Sequence, residues 1–416
     1  MPAIEELLRQ ELKHAAEKVQ PEQLRLLHVP APGRRWYHRW HLRLIPVAAA
    51  AAVVAIIALA APLVSGTSSP RPPATSTSVP AALPRYYLTY TYVKHAHQLA
   101  PQTEVVIRNS ASGQVTGKVA VPSNGEPAIL NATAAADDRS FIIGASEWGP
   151  GGWPDYRFFR LRISASGRPG PLTELASPVV PRDYGVSGFT LSPDGRLLAI
   201  STQFHPPGST DWVGKIEVVN MATGKIRTWS APAQGDHYYI AGPPSWADGD
   251  RMIAFTWQRS VNLTTSNTVM EGVRLLDTAA PDHNLMDSKL IVSSQAVQGT
   301  IQSALITPDG RDVIVAASHD IASGRNTGTV VAQIMEVQAG SGRVIRVLRT
   351  QTARYNLLTR YVLEGSSEVL SLDPTGRYAL VQCLQLGWVD IGAPEPGGFT
   401  PLPAFPPGQE VSWAAW

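Results

Sequence analysis

The chain has 416 residues, a formal net charge of +2, 44% apolar residues and 16% charged residues. So apolar a composition excludes a highly charged disordered chain, and so small a net charge gives no electrostatic ground for nucleic-acid binding. The 34 Gly and 35 Pro argue against a helical bundle, and the lone Cys383 excludes a disulfide framework, a cysteine zinc site and a CxxC redox centre.

In chain order, residues 1–43 form a short stub. Ile4, Leu7, Leu8, Leu12, Ala15, Ala16 and Val19 recur at helical spacing, Glu5 and Glu6 stand in the first turn, and Pro21 ends the pattern. This predicts a short amphipathic helix whose apolar stripe needs a partner or a membrane surface. Residues 44–64 (LIPVAAAAAVVAIIALAAPLV) carry no charge and are long enough, as a helix, to cross a bilayer. Arg34, Arg35, Arg39 and Arg43 precede them and only Arg71 follows closely. The positive-inside rule then keeps residues 1–43 in the cytoplasm and sends the rest outside. The apolar core is longer than that of a cleaved signal peptide, so an uncleaved signal-anchor in the cell membrane is expected. Residues 65–84, rich in Ser, Thr and Pro, read as a spacer. This topology resembles that of single-pass anti-sigma factors, although the zinc-binding kind needs a histidine and two cysteines in this region, and here His14 is present while both cysteines are absent.

From residue 85 onward a unit repeats. AAADDRSFIIGAS (134–146), FTLSPDGRLLAIS (189–201), PSWADGDRMIAFT (244–256), LITPDGRDVIVAAS (305–318) and LSLDPTGRYALVQ (370–382) each read as strand, tight turn, strand. The arginines after the turns, Arg139, Arg196, Arg251, Arg311 and Arg377, fall 55 to 66 residues apart. In Ser192-Pro193-Asp194-Gly195, Pro presets φ, Asp bonds the following backbone and Gly takes the left-handed position. A second turn recurs at Ala111-Ser112-Gly113, Ala165-Ser166-Gly167 and Ala222-Thr223-Gly224. Four short strands per unit of this length predict β-propeller blades.

Ser192-Pro193-Asp194-Gly195, Thr307-Pro308-Asp309-Gly310 and Asp373-Pro374-Thr375-Gly376 resemble the SPDG turn of WD40-like, TolB-type propeller repeats. The resemblance covers residues 85–416 and implies an all-β propeller; it is silent on function. No Trp-Asp dipeptide closes a strand, so orthodox WD40 chemistry is not implied. GQEVSWAAW (408–416) reads as a first strand without a successor and RYYLTYTYV (85–93) as a second strand without a predecessor. Paired, they complete a sixth blade. Seven blades are the alternative, because 259–304 is long enough to hold another pair of strands.

No HExxH, P-loop, dinucleotide fingerprint, GxSxG elbow or EF-hand loop occurs. No cofactor, metal site or catalytic residue is therefore expected. In a four-stranded blade the first-to-second and third-to-fourth turns share one end, which here is short and glycine-marked. The opposite end holds longer segments, and onto it map His95, His97, Trp148, Trp153, Tyr156, Tyr184, His205, Trp212, His237, Tyr238 and His319. Imidazoles and aromatic rings on a rigid rim suit a ligand or protein contact. The leading expectation is a non-catalytic extracytoplasmic module that binds or senses a ligand, peptide or envelope partner. One alternative is a tethered regulator whose stub binds a transcription factor. The other is a propeller hydrolase or lyase drawing on Glu126, Glu368, Glu410, Asp155, Asp183 or Asp211.

Overall fold

The computed structural model describes residues 83–93, 104–122, 127–148, 154–176, 178, 180–181, 184–206, 212–231, 237–260, 268–281, 284–322, 327–356, 367–383, 385–393, 398–403 and 409–416. The expected stub helix, the 44–64 span and nearly all of the 65–84 spacer lie outside them. Among the described residues no helix is long and apolar enough to cross a membrane.

The chain begins with three antiparallel strands, β1 (Tyr86–Val93), β2 (Glu104–Asn109) and β3 (Val115–Ala120). Five four-stranded blades follow. The first holds β4 (Pro127–Ala134), β5 (Ser140–Trp148), β6 (Pro154–Arg162) and β7 (Thr173–Glu174). The second holds β8 (Tyr184–Leu191), β9 (Leu197–Phe204), β10 (Val213–Asn220) and β11 (Ile226–Ser230). The third holds β12 (His237–Ala247), β13 (Met252–Ser260), β14 (Thr268–Asp277) and β15 (Lys289–Ser293). The fourth holds β16 (Thr300–Ile306), β17 (Asp312–Ala322), β18 (Thr327–Gln338) and β19 (Val344–Asn356). The fifth holds β20 (Ser367–Leu372), β21 (Tyr378–Cys383), β22 (Gln385–Asp390) and β23 (Phe399–Pro401). The last strand, β24 (Gln409–Ala415), pairs antiparallel with β1, Leu88 opposite Ala415 and Val93 opposite Gln409.

The sixth blade is thus assembled from both ends of the described chain, in the order β24-β1-β2-β3. The first strands touch in the sequence β4, β8, β12, β16, β20, β24 and back to β4, which makes a six-bladed ring. The 259–304 segment holds no extra blade: β14, a 3-10 turn over Leu285–Asp287 and β15 complete the third sheet.

Alternation within the strands explains the ring. In β13, Ile253, Phe255 and Trp257 pack toward the second blade while Ala254 packs toward the fourth. In β5, Phe141, Ile143 and Ala145 face the sixth blade and Ile142 faces the second. Each sheet is apolar on both faces, so each must be covered twice. Among the described residues the core falls into six clusters, one between each pair of neighbouring blades.

Two polar devices hold the inner ring in register. First, the pairing of every first strand with its neighbour carries a register shift, at Leu130, Ser187, Gly242–Pro244, Gln302, Leu370 and Ser412. Such extra residues increase the local twist of each inner strand. Second, hydroxyls on one blade accept backbone N–H groups of the next. Leu191 donates to Thr133 Oγ1 (3.1 Å), Ile306 to Ser245 Oγ (2.9 Å), Val369 to Ser303 Oγ (2.7 Å) and Trp416 to Ser371 Oγ (3.4 Å). Between the second and third blades the backbones come closest. A Cβ on Gly188 would stand 2.5 Å from the Pro243 backbone, and Ser201 Oγ lies 3.0 Å from the carbonyls of both Gly188 and Gly242.

The turns match their chemistry. Gly195, Gly310 and Gly376 have φ of +74°, +71° and +71°. Asp194 Oδ1 accepts from Ser192 Oγ (2.7 Å) and Arg196 N (2.9 Å), an arrangement that Thr307 and Asp309 repeat. The recurrent arginines take up carboxylates nearby: Arg251 binds Asp277 (2.8 Å) and Arg377 binds Asp390 (3.0 Å), each at the end of its blade's third strand. Arg196 spans two blades, binding Asp194 and, at 3.2 Å, Asp250.

Replacing Ser303 by Ala leaves the Val369 N–H buried without its acceptor. The expected cost is about 1–3 kcal/mol, read as a lower urea midpoint at unchanged slope. An unmoved midpoint would show that the hydroxyl contributes nothing to ring closure.

Candidate functional site

The two ends of the ring differ as the turn lengths imply. At the short-turn end the inner strands open on a cavity of about 100 Å³. Thr133, Thr190, Ser245, Ser371, Trp246 and Trp416 line it, beneath prolines of the SPDG-type turns. Most of these polar groups already serve the ring: Thr133, Ser245 and Ser371 accept interblade N–H groups, and Trp246 Nε1 donates to Thr190 O (3.3 Å). What is left is a narrow mouth with hydroxyls in its wall.

The opposite end carries the aromatic rim. Tyr184, the first residue of β8, lies opposite Phe204 in register, and the rings stack at 4.6 Å with planes 15° apart. Lys215 of β10 sets its ammonium 4.4 Å from the Tyr184 ring centroid and 5.1 Å from that of Phe204. The same Nζ donates to Tyr184 Oη (3.0 Å) and pairs with Glu217 (3.3 Å). The lysine charge is therefore held against two π faces by a carboxylate behind it. One step outward, His205 and Trp212 bracket the β9–β10 loop with centroids 3.7 Å apart. Tyr156 of β6 accepts Val186 N–H (3.2 Å) and joins the first blade to this group; burial raises its phenol pKa. Tyr156, Tyr184, His205 and Trp212 thus belong to one local assembly on the first two blades.

The remaining rim residues fall elsewhere. Trp148 ends β5 opposite Pro154, and His237 and Tyr238 open β12 opposite Ser260 and Arg259. His319 sits inside β17, opposite Val331, because β17 continues to Ala322 before β18 begins at Thr327; the Gly324 and Asn326 that suggested a loop lie outside the described residues. His95, His97 and Trp153 lie outside the described residues, as do Glu126, Asp183 and Asp211. Among the described residues no group of three or more His, Cys, Asp or Glu side chains could hold a metal ion. Phe204 and Lys215 were not picked out from the sequence. The alternation of β9 and β10 would have brought them to Tyr184 only once the register was known.

At the short-turn end one group departs from the pattern. Asp138 occupies the left-handed position that glycine takes in the other turns, with φ +52°. Its Oδ1 is buried without a hydrogen-bond partner. Burial, then the carboxylates of Asp373 and Asp137, push its pKa up from 3.8 to about 6. The folded state therefore binds this proton more tightly than the unfolded chain. The resulting penalty is absent below about pH 4, grows as pH rises to 6 and is fully present above. Asp138→Asn keeps a side chain tolerant of positive φ and removes the charge. It should stabilise the fold at pH 7 by roughly 1–2 kcal/mol, allowing for partial exposure, and flatten the decline between pH 4 and 6. Thermal unfolding across that range checks this; equal pH slopes for the two proteins would refute it.

No protein-family profile matches the chain, and no curated protein matches it. Among solved structures the chain is similar to a periplasmic gluconolactonase, PpgL, of Pseudomonas aeruginosa, with a TM-score of 0.42 and 16% identity over 76% of this chain and 94% of that one. It is also similar to the tricorn protease, with a TM-score of 0.41 and 11% identity over 76% of this chain and 30% of that protein.

Proposed function

We propose that this chain is a membrane-anchored, extracytoplasmic propeller that binds a ligand, peptide or envelope component on its long-loop end without transforming it. One observation carries the reading. Tyr184, Phe204, Lys215, His205 and Trp212 form a preorganised aromatic and cationic platform at that end. Rigid rings that lose little entropy on contact, with a desolvated cation beside them, are the usual anchors of recognition surfaces. Residues 83–85 lead into β1 at the short-turn end, opposite the platform, where Ser110 N donates to Arg85 O (3.0 Å). The apolar run at 44–64, with four arginines just ahead of it, supports the anchor and its direction.

External protease on intact cells should digest residues 83–416 and spare a tag placed ahead of Met1; the reverse pattern would overturn the topology. Full-length protein should co-sediment with purified cell-wall material. Tyr184→Ala and Trp212→Ala should each weaken this about tenfold, the effect of losing one aromatic anchor. Unchanged sedimentation of both variants would remove the platform from the binding surface.

A further inference from the structure

The turn after the third strand of the first blade differs from its counterparts. In the sixth and second blades an asparagine opens this turn. Asn109 Oδ1 accepts the N–H groups of Ala111 (3.0 Å) and Ser112 (3.1 Å), and Asn220 Oδ1 those of Ala222 (3.1 Å) and Thr223 (3.0 Å). In the first blade Ser164 holds that place. Its Oγ accepts the Arg168 N–H (3.1 Å) and lies 2.9 Å from Ser166 Oγ. A pair of hydroxyls spends one proton between them, so one O–H is left to donate outward whichever serine gives. The sixth blade holds the turn in place. Tyr86 Oη donates to Ala165 O (2.9 Å), Thr116 Oγ1 donates to Gly167 O (3.1 Å), and a Cβ on Gly167 would stand 2.5 Å from the Tyr86 ring.

Three arginines share a face with these serines. Ile163 lies opposite Pro169 and packs toward the sixth blade. Arg160, Arg162 and Ser164 therefore alternate onto the other face, and Arg168, opposite Ser164, joins them. Phe158, the next residue in that alternation, packs against the second blade. Cα atoms at such neighbouring positions stand about 7 Å apart, so that arginine side chains can meet on one group. All three arginines are exposed. Arg157, Arg196, Arg251, Arg346 and Arg377 each pair with a carboxylate, whereas among the described residues the guanidinium groups of Arg160, Arg162 and Arg168 pair with none. The carboxylates nearby are spent on other partners. Asp137 accepts Arg139 N (3.0 Å), Ser140 N (2.7 Å) and Ser140 Oγ (2.7 Å), and Glu174 binds Arg157. On the second blade, Glu217 pairs with Lys215 (3.3 Å).

The donors select the occupant. Three guanidinium groups and a hydroxyl call for a group with several acceptor oxygens and more than one negative charge. A carboxylate brings two oxygens and a single charge. A phosphate monoester brings three terminal oxygens and a charge near −2 at pH 7, and guanidinium forks match its oxygens two at a time. We propose that Arg160, Arg162, Arg168 and the Ser164–Ser166 hydroxyl pair form a binding site for a small phosphate monoester. The arginines supply charge and the pinned turn supplies position, so little ordering is left for binding to do. The site is independent of the aromatic platform, which lies at the other end of the ring.

Phenyl phosphate is the probe, titrated calorimetrically into full-length protein in a phosphate-free buffer at about 0.15 M salt. At about pH 7.5, above the second phosphate pKa near 6, it should bind saturably at one site. Benzoate, which keeps the ring and carries one charge, should bind at least about tenfold more weakly. Arg162→Gln and Arg168→Gln, both at exposed positions that need no repacking, should each weaken phenyl phosphate about tenfold, the loss of one charged hydrogen bond. Lowering the pH to about 5 should also weaken it, because the ester takes up a proton while the guanidinium groups stay charged. Arg343→Gln, at the exposed arginine of the corresponding turn in the fourth blade, should leave the affinity unchanged, as should Tyr184→Ala. Absence of saturable binding would overturn the site. So would benzoate binding as tightly as phenyl phosphate, or an equal loss in Arg343→Gln, which would reduce the effect to general charge attraction.

Discussion

A four-stranded sheet that is apolar on both faces cannot be solvated on either, and this constraint organises the whole molecule. Six such sheets satisfy one another only if each lies between two neighbours, and a finite set achieves that by closing into a ring. The interblade clusters are the result. Closure then falls on the one blade whose strands come from distant parts of the chain. β24 pairs with β1, Ala414 and Ala415 are fully buried there, and Trp416 is only 2% exposed. Long-range pairing of this kind pays its loop entropy late, so the closing blade should complete the fold rather than nucleate it.

Burial between blades is non-directional and would tolerate sliding. The directional element lies in the inner ring, where Thr133, Ser245, Ser303 and Ser371 each take an N–H from the next blade. Extra residues in every inner strand add to the twist of its sheet. The channel is consequently narrow, and its polar wall is largely engaged in holding the ring.

The two ends divide labour by loop length. At the short-turn end, turns are built on proline, aspartate and left-handed glycine, and Asp138 and Asp248 each put a charged residue in the left-handed region. At the other end the strands of successive blades run to different lengths, and β17–β19 run furthest. Among the described residues the longest outermost strand is β19, with thirteen residues.

Blade number, turn type and the joining of the two ends were legible in the sequence, because each rests on local chemistry that repeats. The turn glycines and the apolar alternation specify the same strands whatever surrounds them. Half of the rim could be assigned to one end of the ring for the same reason. The tertiary structure alone decided which rim residues meet. Tyr184, Phe204 and Lys215 come together through cross-strand register, which no spacing in the chain encodes. Tyr156 joins them only because the first blade packs on the second. His319 sits in a strand because β17 continues to Ala322 in pairing with β18, three residues past the point at which the sequence reads as loop.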